Sequence, residues 1–307
     1  MLSERGFVAP DDADLIAGFS RRVRPPERWL DYPSVVDLPA MLDRAENQAS
    51  LRLWFAGPDL AAWAYVDAFN TLRFDLDLGA PPELEAAVVD WGLEWVRTLG
   101  GATLLATCHE GDAARQRLFE RHGLRPEHDA IVHLRRPFGP PLDPPSLPRG
   151  FRLRPVAGEA EAAAVAALHR LAFGTTYLTT ERRLALMRSV DYDSTLDLVV
   201  ETPDGDLAAY GLGSVNHEEN ASTGENNCYT DLFATHPDWR GLGLARALLM
   251  RLLGLLQPCG FTAALIVTDS HNAAMQQVAA RAGFRLATRT LRFSRPVAKG
   301  KRLKAKG

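Results

Sequence analysis

Hydrophobic positions along the chain follow two periods, and the period changes at regular intervals. In the second half, Phe151-Arg152-Leu153-Arg154 alternates as a strand, Glu159–Phe173 and Glu181–Arg188 have helical spacing, and Leu196–Glu201 and Leu207–Val215 are strand-like runs. The two runs flank Pro203-Asp204-Gly205, whose Asp-Gly pair predicts a hairpin turn, so they are expected to pair antiparallel. Cys228–Thr235 alternates again, Leu244–Leu256 is a long apolar helix, Phe261–Thr268 a buried strand, Ala273–Ala282 a helix and Arg285–Phe293 a closing strand. The predicted order is β-α-α-β-β-β-α-β-α-β.

The first half repeats much of this succession. Leu51–Ala56 and Ala61–Ala68 flank Gly57-Pro58-Asp59 as a hairpin, and Leu72–Leu78 alternates. Pro82–Arg97 reads as a helix, Ala102–Cys108 as a strand, Asp112–His122 as a helix and Ile131–Arg135 as a closing strand. Between the halves lies a proline-rich stretch from Pro137 to Pro148, in which missing N–H donors and restricted dihedrals stop both helix and sheet. Two similar successions around a linker suggest a diverged internal duplication, with domains at 1–136 and 150–307 and a linker at 137–149. The elements before Ser50 are not legible in the pattern.

Composition narrows the function. A length of 307 residues exceeds what one core usually serves, and a net charge of −3 supplies no field to attract nucleic acid. Three scattered cysteines, Cys108, Cys228 and Cys259, lack the spacing of a zinc site or a disulfide framework, so no metal is expected. The N-terminus lacks the basic-then-apolar order of a signal peptide, and no apolar run approaches the roughly 20 residues of a membrane span. A cytoplasmic protein without a membrane partner is expected. The basic tail from Lys299 to Lys306 reads as a solvated end.

The most informative stretch runs from Thr235 to Leu249, where a strand passes through Arg240-Gly241-Leu242-Gly243-Leu244-Ala245 into the apolar helix. Amides at a helix start carry partial positive charge, and glycine lets an anion approach the backbone closely, so a pyrophosphate can sit there. Taken alone, such glycines also suit an ordinary tight turn. Arg240–Ala245 resembles the R/Q-x-x-G-x-G/A acyl-CoA motif of the GNAT superfamily, Gly150–Pro155 resembles its opening strand, and Asn272 through Gly283-Phe284 resembles its fourth helix. The resemblance implies an α/β (α+β) protein of two tandem GNAT-like domains, each a mixed, mainly antiparallel sheet flanked by helices. In such domains two central parallel strands splay apart and the pantetheine arm lies between them. Phe233, Ala234 and Thr235 would then line the pantetheine, and Asn272 would hold its amides or simply cap its helix. At the corresponding place the first half has Asp77-Leu78-Gly79-Ala80-Pro81-Pro82-Glu83, with prolines and acids where an anion should bind. It therefore reads as a degenerate copy, a tandem arrangement similar to that of mycothiol synthase.

The resemblance implies acetyl transfer from acetyl-CoA to a primary amine of a small molecule or peptide, with a non-catalytic acyl-CoA-binding or regulatory protein as the alternative. The tyrosine that many GNAT enzymes use as thiolate acid falls at Ala279. For the base, alternation places Tyr229, Asp231, Phe233 and Thr235 on one face and Cys228, Thr230, Leu232 and Ala234 on the other. Asp231 is the nearest acid to the family's usual glutamate position, which Tyr229 occupies here. Glu218 and Glu219, read as loop residues, are further candidates. His217 and His236 are weaker candidates, since a surface or structural histidine is commoner than a catalytic one, and Tyr177 is a candidate for the acceptor wall.

Overall fold

The computed structural model describes residues 2–8, 11–24, 28, 37–42, 45–77, 79, 81–139, 142, 146–189 and 191–297, without the side chains of residues 37, 39, 40, 46 and 231. The basic tail, part of the proline-rich stretch, and Leu78 and Ala80 lie outside the described residues. Two compact units result, one of residues 1–131 with 288–307, the other of 132–287.

The first unit begins with β1 (Leu2–Gly6), α1 (Asp11–Val23), α2 (Asp37–Leu42) and α3 (Ala45–Ala49). There follow β2 (Leu51–Ala56), β3 (Asp59–Val66), β4 (Thr71–Leu76), α4 (Pro82–Thr98), β5 (Thr103–His109), α5 (Ala113–Arg121) and β6 (Arg125–Pro137). Neighbouring strands run β1-β2-β3-β4-β5, antiparallel except for β4 and β5. One side of this sheet buries Ile16, Phe19, Leu38, Trp63 and Tyr65, and another cluster joins Val88, Leu93 and Val96 of α4 to Leu104 and Ala106 of β5.

The second unit contains β7 (Arg152–Pro155), α6 (Ala162–Phe173), α7 (Thr180–Met187), β8 (Asp197–Glu201), β9 (Leu207–Ser214), α8 (His217–Thr223) and β10 (Asn227–Thr235). It continues with α9 (Leu244–Leu256), β11 (Ala263–Asp269), α10 (Ala273–Arg281) and β12 (Arg285–Pro296). Strands β11-β10-β9-β8-β7 are neighbours in that order, and β8 and β9 pair antiparallel as the hairpin signal predicts. Leu244, Leu248, Leu252 and Leu256 of α9 pack on Cys228, Ala264 and Ile266, while Val165 and Leu168 of α6 cover Val199, Tyr210 and Ala234 on the opposite face. Buried Arg183 on α7 pairs with Asp197 on β8, whose carboxylate also accepts from Tyr192 at 2.6 Å. Burial pushes the Asp197 carboxyl up against the pull of Arg183.

The closing strands are exchanged between the halves of the sequence. β12 completes the first unit by pairing antiparallel with β5, from Thr290 opposite His109 to Pro296 opposite Thr103. β6 neighbours β11, and Val132 and Leu134 enter the core of the second unit. Each incoming strand carries the same latch. Arg295 donates to His122 O at 2.7 Å at the end of α5, and Arg136 donates through Nε to Ala282 O at 2.8 Å at the end of α10. The amide after each Arg-Pro pair also repeats, Val297 N to Ala102 O at 2.8 Å and Phe138 N to Thr262 O at 3.0 Å. The compact units and the contiguous halves therefore differ at their last strands. A one-dimensional pattern predicts a closing strand but does not say which sheet receives it.

Candidate functional site

The second unit contains an opening between parallel strands. β10 and β11 are in register at Asn227 with Ala263, Cys228 with Ala264 and Tyr229 with Leu265, and the pairing stops there although both strands continue. On its other side β10 stays paired to β9, but three steps from Asp231 to Ala234 oppose only two from Leu212 to Tyr210. The extra residue makes a bulge, and Leu232 within it has φ +55° and is exposed. Past the bulge the faces change over. Phe233 packs with the Cys228 cluster and Ala234 with the Tyr210 cluster, so the expected common face for Tyr229 and Phe233 does not hold. Strict alternation carries no signal for a residue in the left-handed region. Phe233 lies directly over Gly211 of β9, where an added Cβ would come within 2.6 Å of its ring.

β10 leads to a single 3₁₀ turn, Pro237–Trp239, capped by His236, whose Nδ1 accepts from Asp238 N at 3.2 Å. Trp239 fixes this turn on the core, edge-on to Phe151 at 5.5 Å between ring centres. The turn uses the amides of Trp239 and Arg240 internally. Gly241 and Gly243 follow, both at φ +80°, and Gly243 is the N-cap of α9 with no side-chain cap. Nothing lies within 4 Å of a Cβ built at either glycine, so dihedral freedom rather than crowding explains both. The Arg240 guanidinium reaches Ala172 O at 2.8 Å, joining the turn to the end of α6. Leu242 is exposed, Leu244 is buried and Ala245 is half-buried.

The acids separate by position. Residues 217–223, read as a loop, form helix α8, started by Asn216 Oδ1 accepting from Glu219 N at 2.9 Å and ended at Gly224. Glu219 is buried there and accepts from the Tyr229 hydroxyl at 2.7 and 2.9 Å. Glu218 is half-buried and His217 exposed on the same helix. Asp231 is the last β10 residue in register before the bulge, opposite Leu212, and its side chain lies outside the described residues. Sequence reasoning did not single out His169 on α6, whose Nδ1 lies 2.6 Å from the Tyr210 hydroxyl and whose imidazole burial pushes down. Only its distance from Tyr210 in sequence hid that pair. Tyr177 is exposed beneath the Arg182 guanidinium, 4.4 Å from its ring centre.

Asn272 caps α10, accepting from Met275 N at 3.2 Å, and donates to Thr268 Oγ1 at 3.0 Å. At the other end of that helix Ala279 is fully buried in the core, and Gly283 has φ +88°. Among the described residues no helix is long and apolar enough to cross a membrane.

Residues 163–284 match the model of the Acetyltransferase (GNAT) family. No curated protein sequence matches the chain. Among solved structures, a GCN5-related N-acetyltransferase from Sphaerobacter thermophilus is 21% identical with a TM-score of 0.69, covering 96% of each chain. A tandem GNAT protein from the clavulanic acid biosynthesis pathway is 18% identical with a TM-score of 0.70, covering 98% of this chain and all of that one. An acetyltransferase of the GNAT family from Colwellia psychrerythraea is 14% identical with a TM-score of 0.61, covering 95% and 99%. At these identities the likeness is one of fold, and it extends over nearly the whole chain. The GNAT family match thus covers residues 163–284, and the likeness in fold to GNAT structures, a tandem one among them, extends over nearly the whole chain.

Proposed function

We propose that the second unit transfers an acetyl group from acetyl-CoA to a primary amine of a small molecule or peptide by direct attack. The observation that carries this reading is the continuity of the β10–β11 opening, the bulge at Leu232 and the uncapped glycine start of α9. The pyrophosphate binds at Arg240–Ala245, chiefly on amides beyond Arg240, because the 3₁₀ turn has already used those of Trp239 and Arg240. Phe233, Ala234 and Thr235 line the pantetheine arm with strand backbone, and a backbone amide of the bulge faces the carbonyl oxygen as it becomes an oxyanion.

The amine attacks the thioester carbon, the tetrahedral intermediate collapses, and the C–S bond breaks to leave the amide and the CoA thiolate. An ammonium must first lose its proton. Asp231, at the edge of the bulge, takes that role, with Glu219 and the Tyr229 hydroxyl that it holds as the second candidate. Ala279 offers no hydroxyl to the thiolate, which takes its proton from solvent. CoA release across a panel of primary amines tests the reading: turnover with at least one amine supports it. Acetyl-CoA binding without transfer to any amine supports instead a binding or regulatory protein, the reading that buried Ala279 favours.

A further inference from the structure

The last turn of α6 is tied to the acyl-CoA site on two sides. Leu168 and Ala172 pack with Ala234, where β10 is back in register after the bulge, and with Tyr210, its partner on β9. Arg240 of the glycine turn donates to Ala172 O at 2.8 Å. Between these contacts stands His169, half-buried, its ring centre 4.6 Å from that of Phe173. The imidazole thus lies over the part of β9 and β10 assigned to the pantetheine arm and the oxyanion.

A buried hydroxyl holds this imidazole. His169 Nδ1 lies 2.6 Å from Tyr210 Oη, and Nε2 makes no hydrogen bond among the described residues. Burial pushes the Tyr210 hydroxyl up, so it keeps its proton and serves as donor or acceptor. When it accepts from Nδ1–H, the ring's lone pair is on Nε2. Burial also pushes the imidazole down, the neighbouring Arg170 adds to this, and the ring is neutral at pH 7. Arg183 on α7 and Asp197 on β8 act on Tyr210 with opposite signs, and Asp231 stands opposite Leu212, two residues along β9 from Tyr210. A neutral imidazole oriented by a third group has the protonation state and the fixed tautomer of a general base.

Acetyl transfer to a primary amine needs a second base step. The ammonium carries three protons on nitrogen and the amide keeps one. Asp231 is assigned the first proton, before attack. The other leaves the cationic nitrogen of the tetrahedral intermediate. We propose that His169 Nε2 takes this second proton, with Tyr210 as the positioning residue that fixes its tautomer. The N–H bond breaks and its electron pair stays on nitrogen as the C–S bond breaks to give amide and thiolate. The imidazolium then passes its proton to solvent. This step rests on the acetyl transfer proposed for the second unit.

The test uses the full chain, first without turnover. NMR of the imidazole, identified by its contacts with the Phe173 ring, should find it neutral at pH 7 with the proton on Nδ1. An imidazole that is charged at pH 7, or that keeps its proton on Nε2, overturns the proposal. Turnover with a responsive primary amine comes second. His169→Asn keeps an amide N–H for Tyr210 and offers no proton acceptor, so kcat/KM should fall about 10²–10⁴-fold with acetyl-CoA affinity within a few-fold. In the unchanged chain kcat/KM should decline as pH falls through the imidazole pKa found by NMR, and His169→Asn should lack that decline. Tyr210→Phe should move it, which a loss of packing alone does not do. Unchanged kcat/KM, or the same decline, in folded His169→Asn overturns the role of His169 and leaves acetyl transfer standing. An unmoved decline in folded Tyr210→Phe overturns the positioning role of Tyr210. Failure of the unchanged chain to acetylate any amine overturns both readings.

Discussion

The two units open their sheets at corresponding pairs of parallel strands but furnish the openings in opposite ways. Between β10 and β11 the strand edge bulges at Leu232, and the chain continues through two left-handed glycines to an uncapped helix. Between β4 and β5 the ladder from β3 to β4 has no shift, Arg73 crosses to Thr107, and the following helix starts at Pro81-Pro82 with Glu83 and Glu85 in its first turn. Proline removes a donor, and the acids favour the positive end of α4 in the place of an outside anion. The shared architecture positions the openings. A few residues distinguish them: a left-handed glycine start in one, converging arginines in the other.

The strand exchange is the feature whose removal should have the largest effect. A fragment from Gly150 to Gly307 retains every residue proposed for acetyl transfer but lacks β6, and with it Val132, Leu134 and the Arg136 latch on α10. Its β11 is left with an open edge, and its own β12 is left without β5. Size-exclusion chromatography with light scattering should find aggregate or strand-exchanged multimers and little folded monomer. A monodisperse, cooperatively melting monomer of this fragment would remove the exchange from the account.

Asp231→Asn should lower kcat/KM about 10²–10⁴-fold for a responsive amine, the usual contribution of a general base, and leave acetyl-CoA affinity within a few-fold. The loss should shrink at high pH, where more acceptor is already neutral. If Asp231→Asn resembles the unchanged chain and Glu219→Gln shows the loss, the base is the carboxylate that Tyr229 holds.

In the first unit, Asp75→Asn removes the buried carboxylate that Arg24 and Arg28 share and should cost about 3–5 kcal/mol by urea unfolding. Acid tests the same cluster more gently. A carboxyl held at about 2 in the folded chain and titrating normally in the unfolded one gives its full stabilisation above pH of about 4. That contribution, about 2 kcal/mol, is lost as pH falls from about 4 toward 2, and the loss should be absent in Asp75→Asn. An unchanged acid profile in a folded variant would contradict the cluster.

Local chemistry made much of this fold legible. The helix Leu244–Leu256 ends where the apolar pattern ends, and Asp204-Gly205 marks the β8–β9 hairpin. The glycine turn was visible for the same reason, since strand, turn and helix are contiguous. Helix α8 escaped because its seven residues, six polar and one alanine, carry no apolar stripe, although its Asn216 cap and Gly224 stop were present. The bulge depends on one positive φ at a leucine, which no periodicity encodes. Asp75 and its arginines are separated by up to 51 positions in sequence, and only folding brings them together. The exchange of β6 and β12 was invisible for a further reason: either strand satisfies the same alternation in either sheet.

The contrast between the two openings is tested most directly by calorimetric titration of acetyl-CoA into the full chain and into Gly243→Glu. The substitution meets no neighbour within 4 Å, and its unfavourable positive φ should lower stability by only about 1–2 kcal/mol. The account predicts one acetyl-CoA per unchanged chain and no measurable binding to the folded variant, because among the described residues only the second unit offers phosphates a left-handed glycine start to a helix. Two sites per chain, or retained affinity in folded Gly243→Glu, would contradict it.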